Sequence, residues 1–496
     1  MSKDLACQQR LTLPGTCRGV SRRQVLISAA AAPAALAGCG GASQATVLDA
    51  ESLSAPAAHS SPPADVSQPA PLPRITAAPA PTPASSPAAA PAPAPGSTNE
   101  ALPAWIPKRV GETSLVPMAN TLDSVALNGH WSGDSAAHFA NYSGGVFNPY
   151  VGTWGVHVIH GGGHAASNDN SVFIANYNTL EFERVCGPTV LPTDSAYEAA
   201  ITASGVLSVA NPCEVALGVP GSAHTYDCLA ILPPSICGDP QGALIRAVSG
   251  AVGRASSRDS GWSHAFKFTP RTWERWSTNS AGAWAPGGSV AHDKTRQRIW
   301  PIHSNALGVA SSLDLASRTW TNNTAGAAGL GANSYADMVY SAHAASHDLI
   351  VVTTSGQDST PVENAIVRFH YFPAGSNGTS RTAVTFTNGN VPDARYGRGT
   401  LLYVPELGKL VYWTQQQTPD TYYEINIPPN PATPWTWVAK MITGDYKPST
   451  LDPRPAGSTY KRMAYAPQLK SLIWVTARPL LDFVFGDRVI AIRLVA

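Results

Sequence analysis

Tyr142-Ser-Gly-Gly-Val-Phe-Asn-Pro149, Tyr226-Asp-Cys-Leu-Ala-Ile-Leu-Pro233, Arg398-Gly-Thr-Leu-Leu-Tyr-Val-Pro405 and Tyr460-Lys-Arg-Met-Ala-Tyr-Ala-Pro467 are four versions of one phrase. An aromatic residue or arginine opens a short apolar run, and a proline closes it. A second apolar run follows each: Val156 to Ile159, Ala243 to Val248, Lys409 to Trp413, and Ser471 to Val475. Two degenerate copies stand between them. One is Tyr335-Ala-Asp-Met-Val-Tyr-Ser-Ala342 with Leu349 to Thr353, and the other runs through Val290 and His292 to Arg298-Ile299-Trp300. Proline lacks the N–H that a ladder requires, so each copy reads as strand, tight turn, strand.

The rest of a repeating unit shows in the earlier copies. After His157-Val-Ile-His160-Gly161-Gly162-Gly163-His164 come Asn170 to Tyr177 and then Thr179 to Val185. After Ser249-Gly250 come Ser263-His-Ala-Phe-Lys-Phe268 and Arg271-Thr-Trp-Glu-Arg-Trp276, and a third ending is Ser311 to Leu315 with Arg318-Thr-Trp320. A glycine cluster after the second strand, an apolar third strand and a Thr-x-Trp on the fourth resemble the kelch pattern. The resemblance implies an all-β propeller of six or seven four-stranded blades over residues 101–496. Spacings of ~50–85 residues suit such blades with insertions. Six copies are counted directly, while seven is the commoner number in the family. Residues from Trp105 to Ala126 have strand character and are expected to close the last blade after Arg488 to Val495.

Composition agrees with an exported β protein. Only 13% of residues are charged, with 42 Gly, 43 Pro and 13 Trp. That is about half the usual charged share of ~25%, and turn formers and aromatics favour strands. Lys and Arg number 33 against 32 Asp and Glu, a net charge of +1. This balance gives no electrostatic reason to expect a nucleic acid partner.

The first residues read as an address. Ser21-Arg22-Arg23-Gln24-Val25-Leu26 matches a twin-arginine signal, with Arg22 and Arg23 ahead of an alanine-rich core. Leu36-Ala37-Gly38-Cys39 resembles the lipobox of bacterial lipoproteins, in which the cysteine thiol is acylated. Residues 1–39 are therefore expected to be signal and lipobox, with Cys39 as a membrane anchor. Gly40 follows without an acidic residue, which favours the outer membrane over the inner for a periplasmic or cell-surface lipoprotein. Residues 40–100 are Ala, Pro and Ser with almost no aromatics, a composition that cannot offset its ordering entropy and behaves as a semi-rigid spacer.

With the signal set aside, Cys186, Cys213, Cys228 and Cys237 remain. An even number in an oxidising compartment suggests disulfides. Proximity suggests Cys228–Cys237 with Cys186–Cys213, one of three connectivities; buried free thiols are the alternative.

The histidines and inner-strand starts carry the candidate chemistry. His157 and His160 are odd-spaced on a strand and should face opposite sides. His160 and His164 flank the glycines and could meet His224, to hold a divalent metal or serve as acid and base, or to bond a neighbouring strand as part of a structural turn. Tyr142, Tyr335, Tyr396, Tyr460 and Lys461 join Tyr226, Arg398 and Arg462 at related positions, expected near the central channel. Tyrosine faces stack on sugar C–H surfaces, and arginine forks grip a carboxylate; the same tyrosines would also serve simply to plug the channel. Arg254 and Arg258 follow the second glycine turn, and His343 and His347 sit at a strand connection.

Three functions fit. The first is a carbohydrate-active propeller, lyase or hydrolase, with Tyr226 or His224 as base and Arg398 and Arg462 on a uronate carboxylate. The second is a noncatalytic module that binds glycan or protein. The third is a copper-radical oxidase, because the galactose oxidase family shares the propeller. That family's Tyr–Cys crosslink has only the closeness of Tyr226 and Cys228 to suggest it here, and its copper-ligand motifs find no match.

Overall fold

Strand β1 (Thr113–Val116) is the first strand of the computed structural model. The structure describes residues 101–125, 143–160, 170–187, 219–220, 225, 227–248, 262–279, 289–302, 311–322, 336–343, 347–354, 367–376, 381–392, 399–414, 419–451, 462–477 and 485–496. The first blade holds β2 (Gly144–Asn148), β3 (Val156–His160), β4 (Val172–Asn176) and β5 (Glu181–Cys186). The second holds β6 (Leu229–Leu232), β7 (Ala243–Arg246), β8 (His264–Lys267) and β9 (Thr272–Arg275). The third holds β10 (Ser289–Asp293), β11 (Arg298–Ile302), β12 (Ser311–Asp314) and β13 (Thr319–Asn322). The fourth holds β14 (Ala336–His343), β15 (His347–Thr354), β16 (Arg368–Pro373) and β17 (Thr382–Ala383). The fifth holds β18 (Gly399–Val404), β19 (Lys409–Thr414), β20 (Thr421–Asn426) and β21 (Thr436–Met441).

The sixth blade is built from both ends of the described chain. Strands β22 (Met463–Ala466), β23 (Ser471–Ala477) and β24 (Phe485–Arg493) are completed by β1, which pairs antiparallel with β24 from Thr113↔Ile492 to Val116↔Val489. The innermost strands then neighbour one another all round: β2 with β6, β6 with β10, β10 with β14, β14 with β18, β18 with β22, and β22 with β2. The fold is a six-bladed β-propeller. The expected closure occurs, with β1 confined to four residues and a single helical turn, α1 (Leu122–Val125), after it.

Why the sequence builds this is visible in the burial. Each blade is sandwiched between two others, so its middle strands are covered on both faces and read as unbroken apolar runs. All five residues of β3 and of β4 are buried. Alternate residues serve opposite interfaces. In β6, Leu229 and Ile231 pack on the first blade, while Ala230 and Leu232 pack on the third. Buried apolar residues accordingly divide into one cluster per interface. Outermost strands face solvent, as in β21, where Val438 and Met441 are exposed.

The Arg-Thr-Trp phrase has a local explanation. Arg271 (φ 55°) and Arg318 (φ 58°) occupy the left-handed turn position that joins third and fourth strands. Two residues later, Trp273 and Trp320 pack against the preceding blade, the aromatic filling expected of the repeat. At the back of the ring, where innermost strands finish, side chains stitch adjacent blades. Asn148 Nδ2 donates to Gln241 O (2.9 Å), the Thr295 and Tyr340 hydroxyls share a hydrogen bond (2.5 Å), and Gln468 Nε2 donates to Pro149 O (2.9 Å).

Candidate functional site

At the front of the ring, where innermost strands begin, polar side chains gather between the first and second blades. His160 ends β3, Arg246 ends β7 and His264 begins β8. Strand register sets Arg246 opposite His264, and His264 opposite Arg275. His160 faces this row because its odd spacing from His157 turns it toward the second blade. All of His160, Arg246 and His264 are buried. The Trp273 ring lies 4.8 Å from the His160 ring.

His160 Nδ1 lies 3.0 Å from Ser171 O, and a carbonyl only accepts, so Nδ1 carries the proton. Its Nε2 is left as a buried lone pair with no hydrogen-bond partner. Burial, with the Arg246 guanidinium beside it, holds His160 down at about 3. Burial again leads for His264, lowered to about 2 with help from Arg246 and Arg275. Both imidazoles are therefore neutral at ordinary pH. The Arg246 charge beside both disfavours a cation there and favours an anion or a hydroxyl. Among the described residues, no three His, Cys, Asp or Glu side chains converge as a metal site.

Thr225 ties the second blade's lead-in to the first. Its hydroxyl donates to His160 O (2.6 Å) and accepts from Gly144 N (2.7 Å). Two residues on, Asp227 accepts a hydrogen bond from Ser289 Oγ, and its carbonyl accepts from Val290 N (3.0 Å), reaching the third blade. Across the remaining seam of the first blade, Arg462 is buried beside Gly145. A Cβ at Gly145 would stand 2.6 Å from His157 Nε2 and 3.0 Å from Arg462 Cα, so only glycine admits this approach. His157 thus faces the last blade and His160 the second, as their spacing requires.

Of the residues singled out from sequence, His160 and Arg462 are placed at the front of the ring, on opposite seams of the first blade. Tyr142, His164, His224, Tyr226, Arg254, Arg258, Tyr335, Tyr396, Arg398, Tyr460 and Lys461 lie outside the described residues, as do Arg22, Arg23, Cys39 and Cys213. His343 and His347 pair in register across the first hairpin of the fourth blade, at the back. Cys186 closes β5, and Cys228 precedes β6. The expected Cys228–Cys237 disulfide is not formed. Cys237 is a buried free thiol at the end of the single turn α2 (Pro234–Cys237), with Sγ directed at Leu232 O (3.8 Å) and Asp239 O (3.7 Å). The turn spends this cysteine on local carbonyls, which mere closeness in sequence did not reveal. Arg246, His264 and Thr225 were missed as chemistry. Arg246 ends one apolar run and His264 begins the next, which was the available signal.

No family model and no curated protein matches this chain. Among solved structures, it is similar to an α-L-arabinofuranosidase from Fusarium graminearum in complex with an iminosugar inhibitor. The identity is 11% and the TM-score 0.39, over 68% of this chain and 88% of that one. It is also similar to an α-L-arabinanase from Penicillium chrysogenum complexed with arabinobiose, at 11% identity and TM-score 0.37, over 68% and 90% of the two chains.

Proposed function

We propose that this protein is an exported, lipid-anchored propeller that engages carbohydrate at the front of its ring. The observation that carries the reading is the buried ring nitrogen of His160, on which the Arg246 charge acts. His160 Nε2 is a buried acceptor without a partner, and Arg246 is a buried guanidinium whose charge acts on that ring. A sugar hydroxyl can donate, so it complements the bare acceptor at His160 Nε2. Arg462, on the far seam of the first blade, supplies a second buried guanidinium.

Turnover, in this reading, falls to residues singled out from the sequence. Tyr226 or His224 would remove the proton α to a uronate carboxylate, with Arg398 and Arg462 neutralising the charge that develops. A polysaccharide panel tests the proposal with three readouts: unsaturated-uronate absorbance, new reducing ends, and binding. Absorbance marks a lyase and reducing ends alone mark a hydrolase. Binding without either marks a noncatalytic glycan module. Silence in all three across neutral and acidic glycans overturns the carbohydrate reading.

A further inference from the structure

Three asparagine side chains seal outermost strands of the ring. Asn120 donates from Nδ2 to Phe182 O (3.0 Å) on β5 and accepts from Phe182 N (2.6 Å). Asn279 holds Trp320 of β13 in the same way, at 2.9 and 2.6 Å. Each stands in for a further strand at an edge whose backbone groups would otherwise invite association. On β21 the third is Asn388, whose Nδ2 donates to Trp437 O (2.8 Å). It ends a segment of blade four in which Thr385 O accepts from Trp435 N (2.8 Å) and Thr387 N donates to Trp435 O (3.0 Å). Trp437 Nε1 in turn donates to Gly389 O (2.9 Å). Asn388 differs from the other two in its setting. Asn120 and Asn279 are half-buried, are each held by two bonds, and precede Thr121 and Ser280. Asn388 is exposed, is held by one bond among the described residues, and precedes the exposed Gly389. Gly389 has φ 84°, and a Cβ there would meet nothing within 4 Å.

We infer that Asn388 is a deamidation site, and that its conversion loosens the grip of blade four on β21. Asparagine is among the thermolabile residues, and the reaction requires the next residue's nitrogen to reach the side-chain carbonyl carbon. Gly389 has no side chain to obstruct that approach, and both residues are open to solvent base. The Gly389 nitrogen gives up its proton and bonds to Asn388 Cγ. The Cγ–Nδ2 bond breaks, ammonia leaves, and a cyclic imide remains. Water then opens either C–N bond of the imide, giving aspartate or isoaspartate with no change of oxidation state. A carboxylate only accepts, so Trp437 O loses its donor and faces negative charge instead. In isoaspartate the main chain also gains a methylene, which displaces Gly389 O from Trp437 Nε1. The strand so released carries Val438 and Met441, both exposed.

Ageing the folded full chain at pH 6 and pH 8, followed by peptide mapping with fragmentation that localises a one-dalton gain, tests this. Asn388 should convert, faster at pH 8 and with isoaspartate exceeding aspartate, while Asn120 and Asn279 stay intact. Asn128 and Asn377 also precede glycine. They lie outside the described residues and on other tryptic peptides, so their conversion does not enter the reading. Asn388 left intact under conditions that convert it in the urea-unfolded chain would overturn the inference. So would conversion of all three asparagines at one rate. The consequence is read on Asn388→Asp and on the aged protein. Both should melt a few degrees below fresh unaltered protein and self-associate more on size-exclusion chromatography. Should the variant fail to fold, the aged protein decides alone. Conversion with melting and elution unchanged would overturn the claimed loosening of β21.

Discussion

At the scale of single residues, His160 and His264 sit at about 3 and about 2, against ~6.5 in an unfolded chain. As pH falls below 6.5, the unfolded chain takes up protons that the folded protein refuses. Stability is therefore full above that pH and declines toward pH 3, by ~1.4 kcal/mol per pH unit for each histidine. His292 and His370 are lowered as well, to about 3 and about 4, so in denaturant unfolding His160→Asn should reduce the loss between pH 6.5 and 5 by roughly 2 kcal/mol relative to the unaltered protein. A midpoint flat across that range would mean that both rings are solvated. The seam that holds them was only partly legible in the sequence. His160 stood out beside three glycines, and its direction followed from its spacing to His157. Arg246 and His264 meet through strand register across a connection too long to read as a hairpin, so nothing local in the chain pairs them.

Whole elements were more legible, because the propeller states its requirements in local chemistry. Each Tyr-to-Pro phrase opened an innermost strand, since proline cannot continue the ladder, and the unbroken apolar run after it is what a strand covered on both faces must be. The third and fourth blades were harder to read. Blade three lacks the proline, and β17 is only two residues long. The closing strand β1 makes its own prediction. Removing residues 1–100 should leave the melting midpoint unchanged, because every described contact of β1 survives. Removing 1–125 also takes away the buried Ile106, Val116 and Leu122 and bares the edge of β24. At ~1.5–3 kcal/mol for each side chain, that costs roughly 5–9 kcal/mol. The midpoint should then drop by ~10 °C or more, with association through the bared edge visible by size-exclusion chromatography. Equal midpoints for the two truncations would show that the ring holds without its closing strand.

For the molecule as a whole, the expected anchor at Cys39 is open to a simple fractionation. Cys39→Ala should move the protein from the membrane pellet to the soluble periplasmic fraction, since its acyl chains, at ~0.8 kcal/mol per buried CH₂, would provide the attachment. A variant that still pellets would place the attachment elsewhere. The position of β1 also bears on how a tethered ring would carry load. Its pairing runs from Thr113 beside Ile492 at the back to Val116 beside Val489 toward the front. A tug from the N-terminal side, resisted by cargo held at the front, would run broadly along that ladder. The rungs would then be strained together in shear instead of being unzipped one after another, so the strand that fastens the ring would also be oriented to withstand such a leash.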